Sequence, residues 1–257
     1  MTGREPRILL YDIENTPSLG WVWEKWQTNV VELHQDWYML CYAWKWLGDR
    51  GTNYLSLPDF PDRYAADPKD DSLLVDRLHK LFNEADVVIA HNGNRFDQTK
   101  AKARMLVHGL EPPTPFREVD TLQVARRYFN FTSSSLDDLC RQLGIGRKEY
   151  DGGFRTWLGC MNGDPVAWRR MEKYNRRDVR MLEQLYTRMI PWIESHPNMQ
   201  LMSDKPDVCP RCGGSDGFNS KGWRYYTVSK RRVFRCKTNG CIVYGRRMEK
   251  SDATLTS

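Results

Sequence analysis

Asp12 and Glu14 stand two residues apart in LLYDIENTP, residues 9–17, a run whose apolar start reads as a buried strand. Successive side chains on a strand alternate between faces, so both acids point the same way, about 7 Å apart at the backbone. That is close enough to converge on one cation. The β-branched run VVIA, 87–90, leads into HNGNRFD, which brings Asp97 to the start of a helix. Asp178 lies in DPVAWRRMEKYNRRDVRMLEQLYTRM, where positions 168, 171, 175, 178, 182, 185 and 189 alternate three and four apart and form a core-facing stripe. A lone carboxylate on such a stripe is costly to desolvate and needs an arginine, backbone donors or a metal. Tyr174, one turn earlier, shares that face. Together the acids would repel one another unless divalent cations neutralised them, and hard oxygen ligands select Mg²⁺ or Mn²⁺. Two such ions, about 3.5 to 4 Å apart, activate a water and stabilise the leaving oxygen of a phosphodiester.

A second constellation lies near the C-terminus. Cys209 and Cys212 in CPRCGG, with Cys236 and Cys241 in CKTNGC, form two knuckles at the spacing of a zinc ribbon whose intervening residues make a short β-hairpin. The second knuckle has four residues between its cysteines rather than two, with Gly240 at a permissive turn position. Two disulfides or free thiols are the alternative. Cys41, Cys140 and Cys160 are scattered and read as core or surface thiols. Between the knuckles, Lys221, Arg224, Lys230, Arg231, Arg232 and Arg235 interleave with Trp223, Tyr225, Tyr226 and Phe234. Cations reach phosphates and aromatics stack on bases, which suits single-stranded nucleic acid, unless the aromatics are simply the module's small core. The charge balance agrees: of a net +6, the segment from Lys205 to Lys250 holds twelve Lys or Arg against three acids.

The elements that must position these residues follow from the same patterns. At 257 residues the chain has room for one large domain, or for a medium domain plus a small module. Its apolar runs are too short to cross a bilayer, and MTGREPR lacks a secretory signal, which predicts a soluble, cytoplasmic protein with reduced thiols and no membrane partner. Strands are predicted at 7–13 and at 37–48, the second with Tyr38, Leu40, Tyr42, Trp44 and Trp46 on one face, and a short one, NYLSL, among the loops of 48–71. Leu74, Leu78, Leu81 and Phe82 mark a helix N-capped by Asp70, Asp71 or Ser72. Another helix, 96–108, ends at Gly109, and strand and helix alternate again through REVDTLQVARRYF and SLDDLCRQLG. The last long helix opens on Asp164 as N-cap and Pro165 at its first position. This order points to an α/β domain with a mixed sheet over 1–194, a linker at 195–208, a zinc-ribbon module at 209–250 and a tail at 251–257. Trp21, Trp23 and Trp26 are expected in the core rather than stacked on a nucleotide, and His91 is expected to pack at a strand end rather than act as a base.

DIE, NGNRFD and YNRRD, in that order, resemble the three motifs of the DnaQ-like 3′ to 5′ exonucleases of the RNase H-like superfamily, over roughly residues 7–190. VDTL at 119–122 is also similar to the family's. The sister subclass has a histidine five residues before the last aspartate; here Lys173 stands there and Tyr174 stands four before, which indicates the tyrosine (DEDDy) subclass. The resemblance implies that Asp12, Glu14 and Asp178 hold a first metal, that Asp12 and Asp97 hold a second, and that Tyr174 orients or deprotonates the attacking water. It also puts Thr16 and Asn92 near the terminal nucleotide. The implied activity is a 3′ to 5′ exonuclease with two Mg²⁺ or Mn²⁺, releasing nucleoside 5′-monophosphates from single-stranded nucleic acid, DNA favoured over RNA; the cysteine spacing adds one structural Zn²⁺. Replication or repair proteins are candidate partners. A ribonuclease or structure-specific endonuclease on this fold, and a ribbon-based binding factor with a vestigial nuclease, remain the alternatives.

Overall fold

The computed structural model describes residues 5–26, 29–147, 152–227 and 229–249. Of these, 7–126 and 130–185 form one compact unit, while 5–6, 127–129 and 186–249 form another. The expected tail, 251–257, lies outside the described residues.

The larger unit is built on β1 (Ile8–Asn15), whose apolar first half is buried on both faces. A hairpin follows, β2 (Leu19–Trp21) and β3 (Glu32–Gln35), then β4 (Met39–Trp46) and β5 (Asn53–Ser56). Next come α1 (Pro61–Ala66), α2 (Ser72–Glu84), β6 (Val87–Ala90), α3 (Asp97–Val107), β7 (Arg117–Asp120), α4 (Thr121–Tyr128), α5 (Leu136–Gln142), α6 (Phe154–Met161) and α7 (Pro165–Met189). The sheet runs β5-β4-β1-β6-β7, antiparallel on the β4 side of β1 and parallel on the β6 side. It is the mixed sheet expected from the alternation of elements, with helices packed on it.

One face of β1 presents Leu9, Tyr11 and Ile13 to the core that includes Leu74, Leu78, Phe82 and Ala101, with Tyr11 meeting Phe82 edge-on at 5.1 Å. The other face presents Leu10, Asp12 and Glu14. Along it lies α7, where Asn175 meets Asp12 and Glu183 binds Lys45, the register partner of Leu10, at 2.5 Å. Covering both faces of the sheet explains why β4 is buried from Met39 through Ala43 rather than on alternate residues. Asp71 occupies the N-cap of α2, but its side chain is drawn inward to the Met39 amide, Arg104 and His108. The Asp70 carboxylate instead accepts the Ser72 amide at 2.9 Å. Asp164 does cap α7, accepting from the Val166 amide at 2.8 Å.

Trp21, Trp23 and Trp26 overturn their core assignment. They are 65%, 87% and 73% exposed. A two-stranded ribbon has no second layer of its own to bury a large ring.

The smaller unit carries α8 (Met199–Met202) and a second sheet, order β10-β9-β8, of β8 (Phe218–Tyr226), β9 (Ser229–Cys236) and β10 (Ile242–Glu249). The hairpin expected between the cysteine knuckles is β8 and β9; β10 adds a third strand. The segment read as a linker is folded here: Met199 is buried and its amide bonds the Pro210 carbonyl at 2.8 Å, while Tyr186 and His196 stack and bond at 2.7 Å. Among the described residues, no helix is long and apolar enough to cross a membrane.

Candidate active site

Asp12 and Glu14 leave the same face of β1, opposite Ala43 and Cys41 of β4. The amide between them, Ile13 N–H, donates to Asp97 Oδ1 at 3.1 Å, so the first residue of α3 is fastened to the stretch of strand that carries the two acids. Asp97 is buried. Desolvation is the largest influence on it and, with the charge of Asp120, pushes its pKa up to about 7 against the pull of hydrogen bonds from the Ile13 amide and its own.

From α7 come Tyr174, Asn175 and Asp178. Asn175 is fully buried, and its Nδ2 donates to Asp12 Oδ2 at 2.7 Å and to the Asp12 carbonyl at 3.2 Å. Asp178, one turn beyond Tyr174, is buried and hydrogen-bonded with the Tyr174 hydroxyl. Burial, followed by the charges of Asp178, Glu14 and Asp12, holds the Tyr174 phenol far above its usual range. The phenol therefore stays protonated and works as a hydrogen-bond donor. Its ring packs edge-on against Trp157 of α6, centroids 6.0 Å apart.

The sequence-chosen acids and Tyr174 thus gather around the second half of β1. Among the described residues, no three of the acids bring ligand oxygens within 4.8 Å of one another. The donor set suits a hard divalent ion, since all four side chains offer carboxylate oxygen and a buried acid held near pH 7 is one that a cation would return to its ionised form.

Thr16 is buried, its hydroxyl accepting the Tyr38 amide at 3.0 Å. Asn92 sits in the left-handed region with φ of 66°, its amide donating to Asp120 Oδ1 at 2.9 Å. Asp120, which sequence reasoning did not single out, also accepts from the amides of Asn94, Leu122 and Gln123. It ties the end of β7 to the loop that leads into Asp97. Both ring nitrogens of His91 are engaged, with Thr121 Oγ1 at 2.9 Å and the Ser134 carbonyl at 3.0 Å, as suits a packing role. Sequence reasoning also missed Asn175, which looks like any polar residue on a helix stripe, and Trp157.

In the smaller unit, the sulfurs of Cys209, Cys212 and Cys236 lie within 4.8 Å of one another, with Cys212 and Cys236 3.7 Å apart. Cys241, also buried, is hydrogen-bonded to Cys209 and Cys212. Each knuckle closes on itself: Gly213 N bonds Cys209 O at 2.8 Å, and Gly240 N bonds Cys236 O at 3.0 Å. Both glycines have positive φ. Hydrogen bonds from Cys212 and Cys241 draw the Cys209 pKa down to about 2, while donating to Cys209 raises Cys212 to about 11. None of the seven cysteines, all among the described residues, is in a disulfide. A cluster of thiols, buried except for the half-buried Cys212, in which Cys209 favours the thiolate, can bind a zinc ion.

A sequence family described as the RNase H superfamily matches residues 51–190, more than half of the chain. That span holds Asp97, Tyr174 and Asp178 but begins after β1, so Asp12 and Glu14 lie outside it. No curated protein matches the chain. Among solved structures, the fold is similar to the family B DNA polymerase from the hyperthermophilic archaeon Pyrobaculum calidifontis, at 16% identity and a TM-score of 0.53. The match covers 73% of this chain and 25% of that one, about a quarter of the polymerase's length.

Proposed function

The chain belongs to the RNase H superfamily, and on that premise we propose that it is a metal-dependent 3′ to 5′ exonuclease releasing nucleoside 5′-monophosphates from single-stranded nucleic acid, DNA favoured over RNA. The observation that carries this reading is the fastening of Asp97 to the amide between Asp12 and Glu14, with Tyr174 and Asp178 of α7 brought to the same stretch of β1. In the proposal Asp12, Glu14, Asp97 and Asp178 hold two Mg²⁺ or Mn²⁺ ions. When bound, these ions supply the positive charge that activates water and stabilises a leaving oxygen.

The rest is done by the chain's own groups. Asn175 fixes the carboxylate of Asp12, which in this reading serves as a metal ligand. The Tyr174 hydroxyl, whose burial raises its pKa above the usual range, orients the attacking water by hydrogen bonding rather than removing its proton. Asp120 holds the loop of Asn92 that is to face the terminal nucleotide. Cys209, Cys212, Cys236 and Cys241 hold one Zn²⁺, which makes the smaller unit a zinc ribbon.

The test is hydrolysis of end-labelled DNA and RNA oligonucleotides with Mg²⁺ or Mn²⁺. Products that shorten one nucleotide at a time from the 3′ end, with closed single-stranded circles left intact, support the reading. Asp12→Ala and Asp178→Ala should abolish hydrolysis while leaving the fold in place. Cleavage of circles, or near wild-type turnover in Asp12→Ala, would count against it.

A further inference from the structure

Between Phe218 and Glu249 there are nine Lys or Arg and one acid, and strand register sorts them onto two faces of the small sheet. Arg224 of β8 lies directly opposite Arg231 of β9, and Arg231 directly opposite Arg247 of β10. Register partners point to the same side, so these arginines form one row across all three strands, about 4.8 Å apart at the backbone. Tyr226, two residues beyond Arg224, borders the row on one side. Tyr244, opposite Val233, borders it on the other. The Arg224 guanidinium lies 5.5 Å from each of these two ring centroids and donates to the Tyr244 hydroxyl at 2.6 Å.

The reverse face is spoken for. There Val243 and Cys236 are buried, and Phe218 meets Phe234 edge to face. Lys230 and Arg232 lie over the Trp223 ring at 4.8 and 5.4 Å. That side holds the module's small core and the cations that cover it.

Like charges directly opposite one another weaken a β-ladder. Two successive Arg–Arg register pairs concentrate positive charge along this row, and a polyanion laid along it would offset their repulsion. Guanidinium forks match phosphate oxygens two at a time, and tyrosine rings stack on bases of any sequence. The geometry points to the row Arg224–Arg231–Arg247, flanked by Tyr226 and Tyr244, as a binding surface for the backbone and bases of a single nucleic acid strand. It goes beyond the nuclease reading and stands without it.

The experiment is anisotropy of a labelled oligo-dT on the zinc-loaded full chain, without added Mg²⁺ or Mn²⁺, across a salt series. Arg224→Gln/Arg231→Gln is compared with Lys230→Gln/Arg232→Gln, which removes the same charge from the same sheet but from the other face. The first pair should flatten the plot of log affinity against log salt by about 1.4, at about 0.7 per phosphate contact, and weaken binding about tenfold or more. The second should have less than half that effect. Relief of the Arg–Arg pairs should also raise the melting temperature of the first variant in the absence of oligonucleotide. Equal losses in both variants, or no loss in the first, would overturn the assignment. Inorganic polyphosphate of matching charge should compete less well than oligo-dT; equal competition would overturn the stacking role of the tyrosines. Because binding is read without cleavage, a chain that binds here but never cuts would sink the nuclease reading alone, and one that cuts but does not bind at this row would sink this one alone.

Discussion

The side-chain amide of Asn175 donates to Asp12 twice, at 2.7 Å to the carboxylate and at 3.2 Å to the backbone carbonyl. One helical residue therefore fixes both the rotamer of an acid and the strand that bears it. Asn175 lies between Tyr174 and Asp178 on α7, so the contact also sets how deep those two side chains reach toward β1.

From this follows the first prediction. Asn175→Ala should lower kcat or apparent Mn²⁺ affinity by about 10- to 100-fold, the usual effect of losing a group that orients a metal ligand, with little change in oligonucleotide KM. Asn175→Asp should do worse, since it sets a like charge beside Asp12. Mn²⁺ titrations of the two variants check this, and an unchanged midpoint with unchanged kcat would show that Asp12 orients itself.

Tyr174 lends itself to a second test. Loss of its hydroxyl in Tyr174→Phe should slow hydrolysis by about 10²-fold, the order of the cost of misplacing a reacting group. Since burial, the largest influence on the phenol, raises it above its usual range, wild type and variant should share the shape of their pH–rate profiles. A limb of the wild-type profile that disappears in the variant would mean that the phenolate is the working form.

Third, Asp97 should make the metal-free protein lose stability as pH rises. Its folded-state pKa of about 7 lies above the ordinary 3.8, so the fold prefers the protonated acid. The stabilisation is fully present below about pH 4 and is lost as pH climbs through 7, to the extent of a few kcal/mol at most, at about 1.4 kcal/mol per unit. Asp97→Asn should melt higher than wild type at pH 8 and about the same at pH 4. Added Mn²⁺ should raise the wild-type melt at pH 8 more than that of the variant. Parallel pH profiles for the two proteins would show that Asp97 ionises without penalty.

How much of this could be read from the chain depended on periodicity. Asp12 and Glu14 were legible because a strand's alternation fixes their side, and Asp178 because a charge on an apolar stripe demands a reason. Asn175 was not, because an uncharged polar residue on the same stripe demands none until its partner is known. The α6 helix escaped notice because it is eight residues long and begins straight after two glycines of positive φ, Gly152 and Gly153. Strand β10 was hidden by Gly245 and by the Arg246–Arg247 pair, which break the apolar alternation. The exposed tryptophans of the β2–β3 hairpin were misjudged because strand propensity says nothing about whether a second layer exists to bury the rings. At Asp71 the cap position was legible, but the pull of Arg104 and His108 on its carboxylate is set by helices far apart in sequence.

The last prediction concerns the cysteines. The three strands of the smaller unit expose much of their surface, β8 almost throughout, so little apolar burial is available to hold the sheet and the knuckles must do it. In small domains of this kind, metal binding is folding free energy, about 10 to 16 kcal/mol for a structural zinc site. The purified chain should therefore contain one zinc per molecule by elemental analysis. Replacing Cys209 and Cys212 with serine should abolish it, and a strong chelator should melt the sheet, shifting the emission of Trp223. The larger unit owes its sheet to a separate core built around Leu9, Tyr11 and Phe82, so its cooperative melt should survive both treatments. Because Cys241 contacts Cys209 and Cys212, Cys241→Ser should lose most of the zinc as well. If Cys241→Ser kept full zinc occupancy, the centre would be a three-cysteine site whose fourth ligand comes from elsewhere. If the wild-type chain carried no zinc and ignored the chelator, the knuckles would be holding the sheet by their hydrogen-bonded turns alone.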